Sequence, residues 1–394
     1  MASPHLMNTY ARLPVAFERG AGVWLWDQAG NKYLDALAGI AVCGLGHAHP
    51  RLVRAIAEQA AKLIHTSNLY EIPLQDRLAE RLCALAGMDE VFFCNSGSEA
   101  NETAIKLARA YGHREGVQNA AVIVMEQAWH GRTLATLSAT GNRKAQAGFE
   151  PLVPGFIRVP YNDERAVRQV AEANRDVVAV LVEVLQGEGG INVADRDYVH
   201  FLRRICDERR WLLIVDEVQS GIGRTGKWFG FQHAAIAPDV ITLAKGLGSG
   251  VPIGACVAAR LARGVLGPGN HGSTFGGGPL VCAAALATLA AIEDERLLEN
   301  AAQLGEAIRA GLREALAGVT GVADIRGLGL MIGIELDRPC GELVRRALAA
   351  GLLINVTADR VVRLLPPLVI GAAEARELVA RLAPLLRQFL AQPA

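Results

Sequence analysis

Short apolar runs alternate with amphipathic segments between residues 90 and 260. Seven runs are rich in Val, Ile, Leu and Ala and have the length of strands: Val91–Cys94, Ala121–Glu126, Phe156–Pro160, Val177–Val184, Leu212–Val218, Val240–Ala244 and Ile253–Ala258. Several lack strict alternation of apolar and polar positions, which is typical of strands covered on both faces. The segments Glu99–Tyr111 and Asp195–Arg210 have the period of helices. This order predicts an α/β fold with a mostly parallel seven-stranded sheet and helices on both sides.

The two ends of the chain have a different pattern. Near the N-terminus, Val23–Asp27 and Lys32–Leu37 flank a Gly30-Asn31 turn and predict a hairpin. Beyond Ile292 the pattern predicts an amphipathic helix and a Gly-rich turn. After the turn it predicts a strand at Leu330–Leu336, a helix at Glu342–Ala350, a strand at Val361–Leu365 and a helix at the C-terminus. We therefore expect a large α/β domain over residues 60–290 and a smaller α+β domain built from residues 1–59 and 291–394.

Composition narrows the class of protein. Hydrophobic residues make up 51% of the chain and charged residues 20%, enough for a large buried core. Forty basic and forty acidic side chains cancel, so charge gives no argument for a nucleic acid or an anionic membrane as partner. The longest apolar stretch, Gly278–Ile292, is shorter than the roughly 20 residues that span a bilayer, and it predicts a buried helix. A secretory signal is not visible at the N-terminus, so a cytoplasmic protein is expected.

Ligands of open α/β sheets bind beyond the carboxyl ends of the strands, so the residues there carry the first chemical signal. Lys245 follows the run Val240–Ala244 and precedes a glycine. Asp216 follows the apolar residues Leu212–Val215. Ser96-Gly97-Ser98 stands between a strand and a helix. Taken singly, such a lysine is usually a solvated terminus, such an aspartate a turn residue, and Ser-Gly-Ser a plain N-cap.

Taken together, these residues match the needs of pyridoxal 5'-phosphate (PLP). Free N–H groups at a helix N-terminus bind phosphate, and Gly97 and Ser98 supply them beside small side chains. Asp216 supplies the carboxylate that keeps a pyridine nitrogen protonated. Lys245 supplies an amine for the aldehyde, and the other five lysines lie in helical, turn or loop sequence. The alternative is a nucleotide-binding regulatory protein whose phosphate cradle holds another ligand.

Eight motifs resemble those of the class-III aminotransferases, over a stretch from about Pro14 to near the C-terminus. They are His65–Tyr70, Asn95–Glu102, Trp129–Thr133, Gln186–Gly190, Asp216–Gly226, Ala244–Gly248, His271–Gly277 and Arg363–Leu368.

The resemblance implies the PLP fold-type-I architecture and a homodimer with active sites at the subunit interface. Lys245 matches the lysine that forms the Schiff base, Asp216 the partner of the ring nitrogen, and Gln219 the partner of the ring hydroxyl. Thr274, with Ser273 beside it, is expected to reach the phosphate or substrate from the other subunit. The implied cofactor-binding set is Gly97, Ser98, Trp129, Asp216, Glu217, Val218, Gln219, Lys245 and Thr274. Trp129 stands where the family usually has Phe or Tyr stacked on the ring.

The resemblance also implies residues that bind substrates. Arg132 matches the arginine that grips the α-carboxylate of an ornithine-type donor, and its planar fork suits a carboxylate. Arg363 matches the arginine for the α-carboxylate of glutamate or 2-oxoglutarate, with Glu188 as the gate that covers it. A surface arginine and a structural salt bridge would leave the same sequence traces. Glu183 follows a strand near the cofactor, and Val184 replaces the family's usual Pro.

The implied reaction moves the δ-amino group of N-acetylornithine to 2-oxoglutarate, a step of arginine biosynthesis. The segment Ile40–Gly44 is apolar where ornithine-using relatives are expected to have a tyrosine near the free α-amine, which favours a neutral, acylated amine. Succinylornithine, succinyl-diaminopimelate and 4-aminobutyrate remain alternative donors, and a decarboxylase or aminomutase is a further alternative within the class.

Three other features have ordinary interpretations. The sequence neighbours of His130 include no Asp or Glu at metal or triad spacing, so we interpret it as a structural residue. Gly44-Leu45-Gly46-His47 has too few glycines for a dinucleotide fingerprint. The seven cysteines form no CxxC pair, which predicts buried thiols and neither a disulfide framework nor a metal site.

Overall fold

The structure, a computed structural model, describes residues 5–392. Its strands, in chain order, are β1 (Phe17–Ala21), β2 (Trp24–Asp27), β3 (Lys32–Asp35), β4 (Glu90–Cys94), β5 (Ala121–Met125), β6 (Phe156–Val159), β7 (Val177–Val182), β8 (Leu185–Gln186), β9 (Asn192–Val193), β10 (Leu212–Asp216), β11 (Val240–Leu243), β12 (Gly254–Ala258), β13 (Val322–Leu328), β14 (Met331–Leu336), β15 (Leu352–Leu353), β16 (Asn355–Thr357) and β17 (Val361–Leu364).

The helices alternate with these strands. They are α1 (Ala38–Ala41), α2 (Pro50–Ala60), α3 (Pro73–Ala86), α4 (Gly97–Arg114), α5 (Leu134–Ala139), α6 (Arg143–Gln146), α7 (Glu164–Ala173), α8 (Arg196–Arg209), α9 (Pro279–Asp294), α10 (Leu297–Ala315), α11 (Leu343–Ala349) and α12 (Ala372–Leu390), with short 3-10 turns at Gly230–His233, Lys245–Leu247 and Arg260–Ala262.

The central sheet has seven strands in the order β4-β12-β11-β10-β7-β5-β6. The strands β11, β10, β7, β5 and β6 run parallel, while β12 pairs antiparallel with both β11 and β4. The mostly parallel seven-stranded sheet is therefore confirmed, and each of the seven predicted runs forms one of its strands. Asp216 is opposite Thr242 in the register of β10 and β11, so the residues that follow these two strands lie side by side.

Neighbouring residues of one strand face different helical layers, which explains why the strands lack alternation. In β10, Leu212 and Ile214 pack into a cluster with α4, whereas Leu213 and Val215 pack into the cluster that contains α8. All four side chains are completely buried. Two covered faces therefore require apolar residues at every position. The stretch predicted as a buried helix forms α9, and its Ala284, Ala285 and Thr288 are completely buried.

Besides the central sheet there are two four-stranded sheets and the antiparallel pair β8–β9. One four-stranded sheet has the order β1-β2-β3-β15, and the second, the C-terminal sheet, has the order β13-β14-β17-β16. The predicted hairpin is confirmed as the antiparallel pair β2–β3. Because β3 also pairs in parallel with β15, segments from both chain ends share one sheet. The hydrophobic pattern did not predict β1, β13, β15 or β16, because these strands are short or are interrupted by charged residues and glycine.

Within residues 5–392 no helix combines the length and the apolar character needed to cross a membrane. The same part of the chain contains no group of three His, Cys, Asp or Glu side chains arranged to hold a metal ion. All seven cysteines lie in this range and are free thiols.

Candidate active site

A cavity of about 370 Å³ lies at the carboxyl ends of β10 and β11. Pockets of this size hold small molecules and cofactors. Nine of the residues singled out from the sequence line it together: Gly97, Ser98, Trp129, Glu183, Glu188, Asp216, Val218, Gln219 and Lys245.

The start of α4 forms one wall of the cavity. The Ser96 side chain caps this helix by accepting the Glu99 backbone N–H at 3.2 Å, and Asn95 Nδ2 donates to the Glu99 carboxylate at 2.9 Å. The first N–H groups of a helix have no partner within it, so they are available to an anion. A Cβ on Gly97 would lie 2.6 Å from Cγ1 of Val218, so only glycine fits between the helix start and this side chain.

Asp216 is buried and held through both carboxylate oxygens. Its Oδ2 accepts from Asn101 Nδ2 at 2.8 Å and lies 2.8 Å from His130 Nδ1, while its Oδ1 accepts from the Val218 N–H at 3.0 Å. The hydroxyl of Thr242 donates to Asn101 Oδ1 at 2.8 Å and fixes the orientation of that amide. Contacts on both oxygens therefore fix the direction of the carboxylate.

Sequence reasoning missed Asn101 and Thr242 and gave His130 no partner. Asn101 and His130 are 115 and 86 residues from Asp216 in the chain, so no local spacing could reveal the contacts. The available signal was an asparagine among the buried positions of α4, since a buried amide requires partners. Because a carboxylate only accepts hydrogen bonds, the His130–Asp216 bond needs the proton on Nδ1. Among the described residues, His130 Nε2 is buried without a hydrogen-bond partner.

Lys245 projects its amine into the same cavity. It follows β11 with a φ of 42°, a left-handed backbone conformation that is uncommon for a residue with a side chain. Burial, reinforced by the positive charge of Arg363, lowers the pKa of Lys245 to about 8. The amine is therefore uncharged at near-neutral pH far more often than an ordinary lysine, as a nucleophile or a base requires.

Glu183 lies beneath the cavity and joins two of its walls. Its Oε1 accepts the Trp129 N–H at 2.8 Å and its Oε2 accepts the Gly187 N–H at 3.0 Å. Burial raises the pKa of this carboxyl to about 7. The Val184 carbonyl next to it accepts the Ala194 N–H at 3.0 Å.

Glu188 and Arg363, which the sequence predicts to act as a gate, form an ion pair in the structure. Glu188 Oε1 lies 2.6 Å from Nη1 of Arg363, whose side chain is completely buried. Arg363 also donates from Nε to Asn355 Oδ1 at 3.1 Å and from Nη1 to Gln219 Oε1 at 3.2 Å. Its Nη2 is buried and has no hydrogen-bond partner among residues 5–392. A second carboxylate could pair with this guanidinium if Glu188 moved away.

The remaining predicted residues do not line the cavity of the single chain. Glu217 points away from it and accepts the Gly230 and Phe231 N–H groups, each at 2.8 Å. Arg132 is exposed, with its guanidinium 4.6 Å from the Trp129 ring centroid. Ser273 Oγ accepts from Asn95 Nδ2 at 3.2 Å, while the neighbouring Thr274 is exposed.

Comparison with known proteins identifies the family. Residues 6–386 match the family model described as Aminotransferase class-III. The chain belongs to the class-III aminotransferases. This aminotransferase is 62% identical over 390 residues to acetylornithine aminotransferase 1 of Bordetella bronchiseptica, with 99% of each chain covered. It is 59% identical to the acetylornithine aminotransferase of Nitrosomonas europaea, with 98% of each chain covered.

Solved structures agree with this assignment. The aminotransferase superposes on the ornithine aminotransferase of Toxoplasma gondii with a TM-score of 0.94 and 35% identity, covering 98% of this chain and 93% of that one. It superposes on the N-acetylornithine aminotransferase of Stenotrophomonas maltophilia with a TM-score of 0.84 and 35% identity, covering 97% and 98%. A second structure of the Toxoplasma enzyme is described with partial occupancy of PLP at its active site.

The residues of this class-III aminotransferase fit PLP. The cavity has an available helix N-terminus at Gly97, which suits a phosphate. It has a buried carboxylate at Asp216, which suits a protonated ring nitrogen, and an amine with a lowered pKa at Lys245, which suits an aldehyde. The three groups have the chemistry that the three reactive parts of the cofactor need.

Proposed function

We propose that this aminotransferase uses PLP to transfer the δ-amino group of N2-acetylornithine to 2-oxoglutarate, giving N-acetylglutamate 5-semialdehyde and glutamate. The observation that carries the proposal is the shared cavity, in which the Lys245 amine and the Asp216 carboxylate meet the start of α4. The names of the relatives at 62% and 59% identity support the donor.

The chain's own residues hold the cofactor in this proposal. When bound, PLP supplies an aldehyde carbon that bonds to the substrate amine and a ring that accepts the electron pair left by deprotonation. Gly97 and Ser98 bind its phosphate, and Asp216 keeps the ring nitrogen protonated. Trp129 and Val218, on the cavity wall, pack against the ring, and Gln219 binds its hydroxyl. Glu217 acts at a distance, since its carboxylate anchors the turn at Gly230 and Phe231.

Lys245 moves the proton. Its Nζ would accept a proton from the carbon that carries the donor amine and would later release the same proton within the cavity, so that the lysine ends the transfer uncharged, as it began. An amine with a pKa of about 8 is suited to both tasks near neutral pH, because it is neither permanently charged nor too weak a base.

Two arginines distinguish the two substrates. Arg132 grips the α-carboxylate of the donor, and its position over Trp129 supports this role because the indole forms one wall of the cavity. Arg363 binds the α-carboxylate of 2-oxoglutarate after Glu188 withdraws. Its Nη2 has no hydrogen-bond partner within the part of the chain that the structure describes, which supports this role. Glu183 acts through the backbone of Trp129 and Gly187, near the bound substrate.

The choice of donor rests on the apolar segment Ile40–Gly44, of which Val42 lines the cavity. An unpaired ammonium beside Val42 would lose hydration without gaining a partner, whereas an acylated amine carries no charge. The test is the turnover of acetylornithine, succinylornithine, succinyl-diaminopimelate, ornithine and 4-aminobutyrate with 2-oxoglutarate. We expect acetylornithine to give the highest kcat/KM. Equal turnover of free ornithine would contradict the proposal.

We also propose a homodimer in which Thr274 and Ser273 of one subunit complete the site of the other. Thr274 is exposed and is not among the residues that line the cavity of its own chain, which supports this arrangement. Mixing Lys245→Ala subunits with Thr274→Ala subunits tests it, because the hybrid would contain one site with neither change. Recovery of activity on mixing is expected, and the absence of recovery from confirmed hybrids would contradict the shared site.

The domain division and the cellular setting are further proposals. Residues 60–290 form the large domain, and residues 1–59 with 291–394 form the small one, which the β3–β15 pair supports. We place the enzyme in the cytoplasm and in arginine biosynthesis, and the seven free thiols suit a reducing compartment. Restoration of growth without arginine in a bacterium that lacks acetylornithine aminotransferase would test the pathway.

A further inference from the structure

The gate glutamate sits on a strained turn. We call residues Gly187–Ile191, between β8 and β9, the gate turn; it carries Glu188. Gly190 has a φ of 115° and Ile191 a φ of 56°, and the left-handed region is costly for a β-branched side chain. A strained turn of this kind keeps its shape only when its surroundings hold it. The position of Glu188 therefore depends on what grips the turn.

Arg326 of β13 grips the far half of the gate turn. Its Nη2 donates to the Gly190 carbonyl at 2.6 Å and to Asn192 Oδ1 at 3.2 Å, and its Nε donates to the Ile191 carbonyl at 3.0 Å. One guanidinium thus contacts three consecutive residues that follow the gate.

Arg326 is itself fixed by two carboxylates. Its Nη1 lies 2.5 Å from Glu335 Oε2 and 3.2 Å from Asp324 Oδ2, and its side chain is only 19% exposed. All three nitrogens of the guanidinium therefore have partners. Nη1 pairs with the two carboxylates, while Nε and Nη2 donate to the gate turn and Asn192. A lysine offers a single ammonium and cannot reproduce this pattern.

The grip belongs to the same sheet as the arginine that the gate covers. Arg326 lies on β13 and Arg363 on β17, and both strands pair with β14 in the C-terminal sheet. Thr357, on β16 of that sheet, donates from its hydroxyl to the Glu188 carbonyl. The sheet therefore holds the backbone of the gate turn through Arg326 and Thr357 while Arg363 holds the gate's carboxylate.

We propose that Arg326 is a positioning residue of the gate, which keeps Glu188 against Arg363 and thereby sets how readily a dicarboxylate displaces it. This inference rests on the proposed gate function. A dicarboxylate must break the 2.6 Å Glu188–Arg363 pair before it can use the buried guanidinium. If the gate turn relaxes, that pair is weaker, and a dicarboxylate competes with it more successfully.

Binding of glutarate to the PLP-loaded enzyme tests this directly, since glutarate has the two carboxylates of 2-oxoglutarate and no keto group to react. We expect Arg326→Ala to lower the Kd of glutarate, measured by calorimetry, on the order of fivefold. Arg326→Lys should shift it in the same direction and serves if the alanine variant does not fold. The KM for 2-oxoglutarate should fall with it, whereas simple loss of folded enzyme would lower kcat and leave KM and Kd unchanged.

Arg360 provides a matched control. It pairs with the same Glu335, at 2.6 Å, without contacting the gate turn, so Arg360→Ala should leave the Kd of glutarate unchanged. Glu188→Ala provides the upper limit, because it removes the competing carboxylate. If Arg326 acts through Glu188, adding Arg326→Ala to Glu188→Ala gives no further tightening.

The outcomes separate the two proposals. If Glu188→Ala tightens glutarate and neither Arg326 variant does, the positioning role of Arg326 is wrong and the gate stands. If Glu188→Ala itself fails to tighten glutarate, the gate is wrong and the role of Arg326 is overturned with it. Further tightening in the double variant would also overturn it. Failure of acetylornithine as donor would affect none of these measurements.

Discussion

His130 Nδ1 lies 2.8 Å from Asp216 Oδ2, and both side chains are almost completely buried. Among the described residues the Nε2 of His130 has no hydrogen-bond partner, so the imidazole ring is hydrogen-bonded to this one carboxylate alone. Asn101 donates to the same oxygen. His130 and Asn101 therefore fix the direction of the Asp216 carboxylate, which lines the cavity and can contact the ring nitrogen of the cofactor there.

Loss of His130 should weaken cofactor binding without unfolding the protein. We expect His130→Ala to raise the Kd of PLP by about tenfold, because a hydrogen bond to a charged group contributes about 1.5–3 kcal/mol. The measurement is titration of the apo-enzyme with PLP, followed by the quenching of tryptophan fluorescence. His113→Ala is the control, since that histidine is exposed near the end of α4. Equal PLP affinity in wild type and His130→Ala would contradict the positioning role.

Residue type and strand position were sufficient to predict that Lys245, Asp216 and Gly97 lie together, and all three line one cavity. Lys245 follows β11, Asp216 ends β10 and Gly97 comes three residues after β4. The carboxyl ends of parallel strands meet at one edge of a sheet. Apolar runs along the chain revealed all seven strands of the central sheet. Strands such as β13, with Asp324 and Arg326 exposed or half-buried along it, carry no such run and were missed. Their position is decided by pairing with β14.

The supporting residues could not be predicted, because their partners are remote in the chain. In the sequence Asn101 is an ordinary helical residue and Arg326 an ordinary charged residue. Only the folded structure shows that Asn101 contacts Asp216 and that Arg326 contacts the gate turn. The contact between Arg326 and Gly190 spans 136 residues. Such contacts depend on the final packing of several elements, which local spacing does not encode.

An added methyl group at Gly97 should damage the phosphate cradle. A Cβ there lies 2.6 Å from Val218 Cγ1, so the helix start or Val218 must shift. We expect Gly97→Ala to raise the Kd of PLP on the order of tenfold or more, since a misplaced helix start loses several charge-assisted hydrogen bonds. Gly341→Ala is the control, because a Cβ at that position meets no atom within 4 Å. Inorganic phosphate, measured by its protection of the apo-enzyme against PLP binding, should lose affinity in parallel.

The double variant Gly97→Ala/Val218→Ala separates overlap from other effects. Removing the valine methyl groups vacates the space that the new Cβ needs, so part of the lost phosphate affinity should return. If phosphate affinity is unchanged in Gly97→Ala alone, the start of α4 is not the phosphate site.

The attachment of PLP to Lys245 should follow the lowered pKa of this amine. A pKa lowered to about 8 by burial means that the uncharged, nucleophilic form rises as pH increases through 8, well below the ordinary value of 10.5. We expect the rate at which apo-enzyme gains the visible absorbance of bound PLP to increase between pH 7 and 8.5 and then level off. Lys245→Ala should gain no such band. A rate that continues to rise toward pH 10 would contradict a lowered pKa.

Glu217 should make stability depend on pH. Burial raises the pKa of its carboxyl to about 7 in the folded chain, from 4.5 when unfolded. The folded state therefore binds more protons between these values, so the associated stability is present below about pH 4.5 and is lost as pH rises through 7. The full effect is at most about 3 kcal/mol, since one pKa unit corresponds to about 1.4 kcal/mol.

Glu217→Gln removes this titration, so its free energy of unfolding should improve relative to wild type as pH increases from 5 to 8. Denaturant unfolding of the two apo-enzymes at each pH measures the difference. The glutamine still accepts through its carbonyl oxygen, but its NH2 faces one of the two backbone N–H groups that the carboxylate accepts, which gives a pH-independent loss. The pH-dependent part is the informative one. A constant difference between pH 5 and 8 would mean that Glu217 stays ionised throughout, held by Gly230, Phe231 and Ser220.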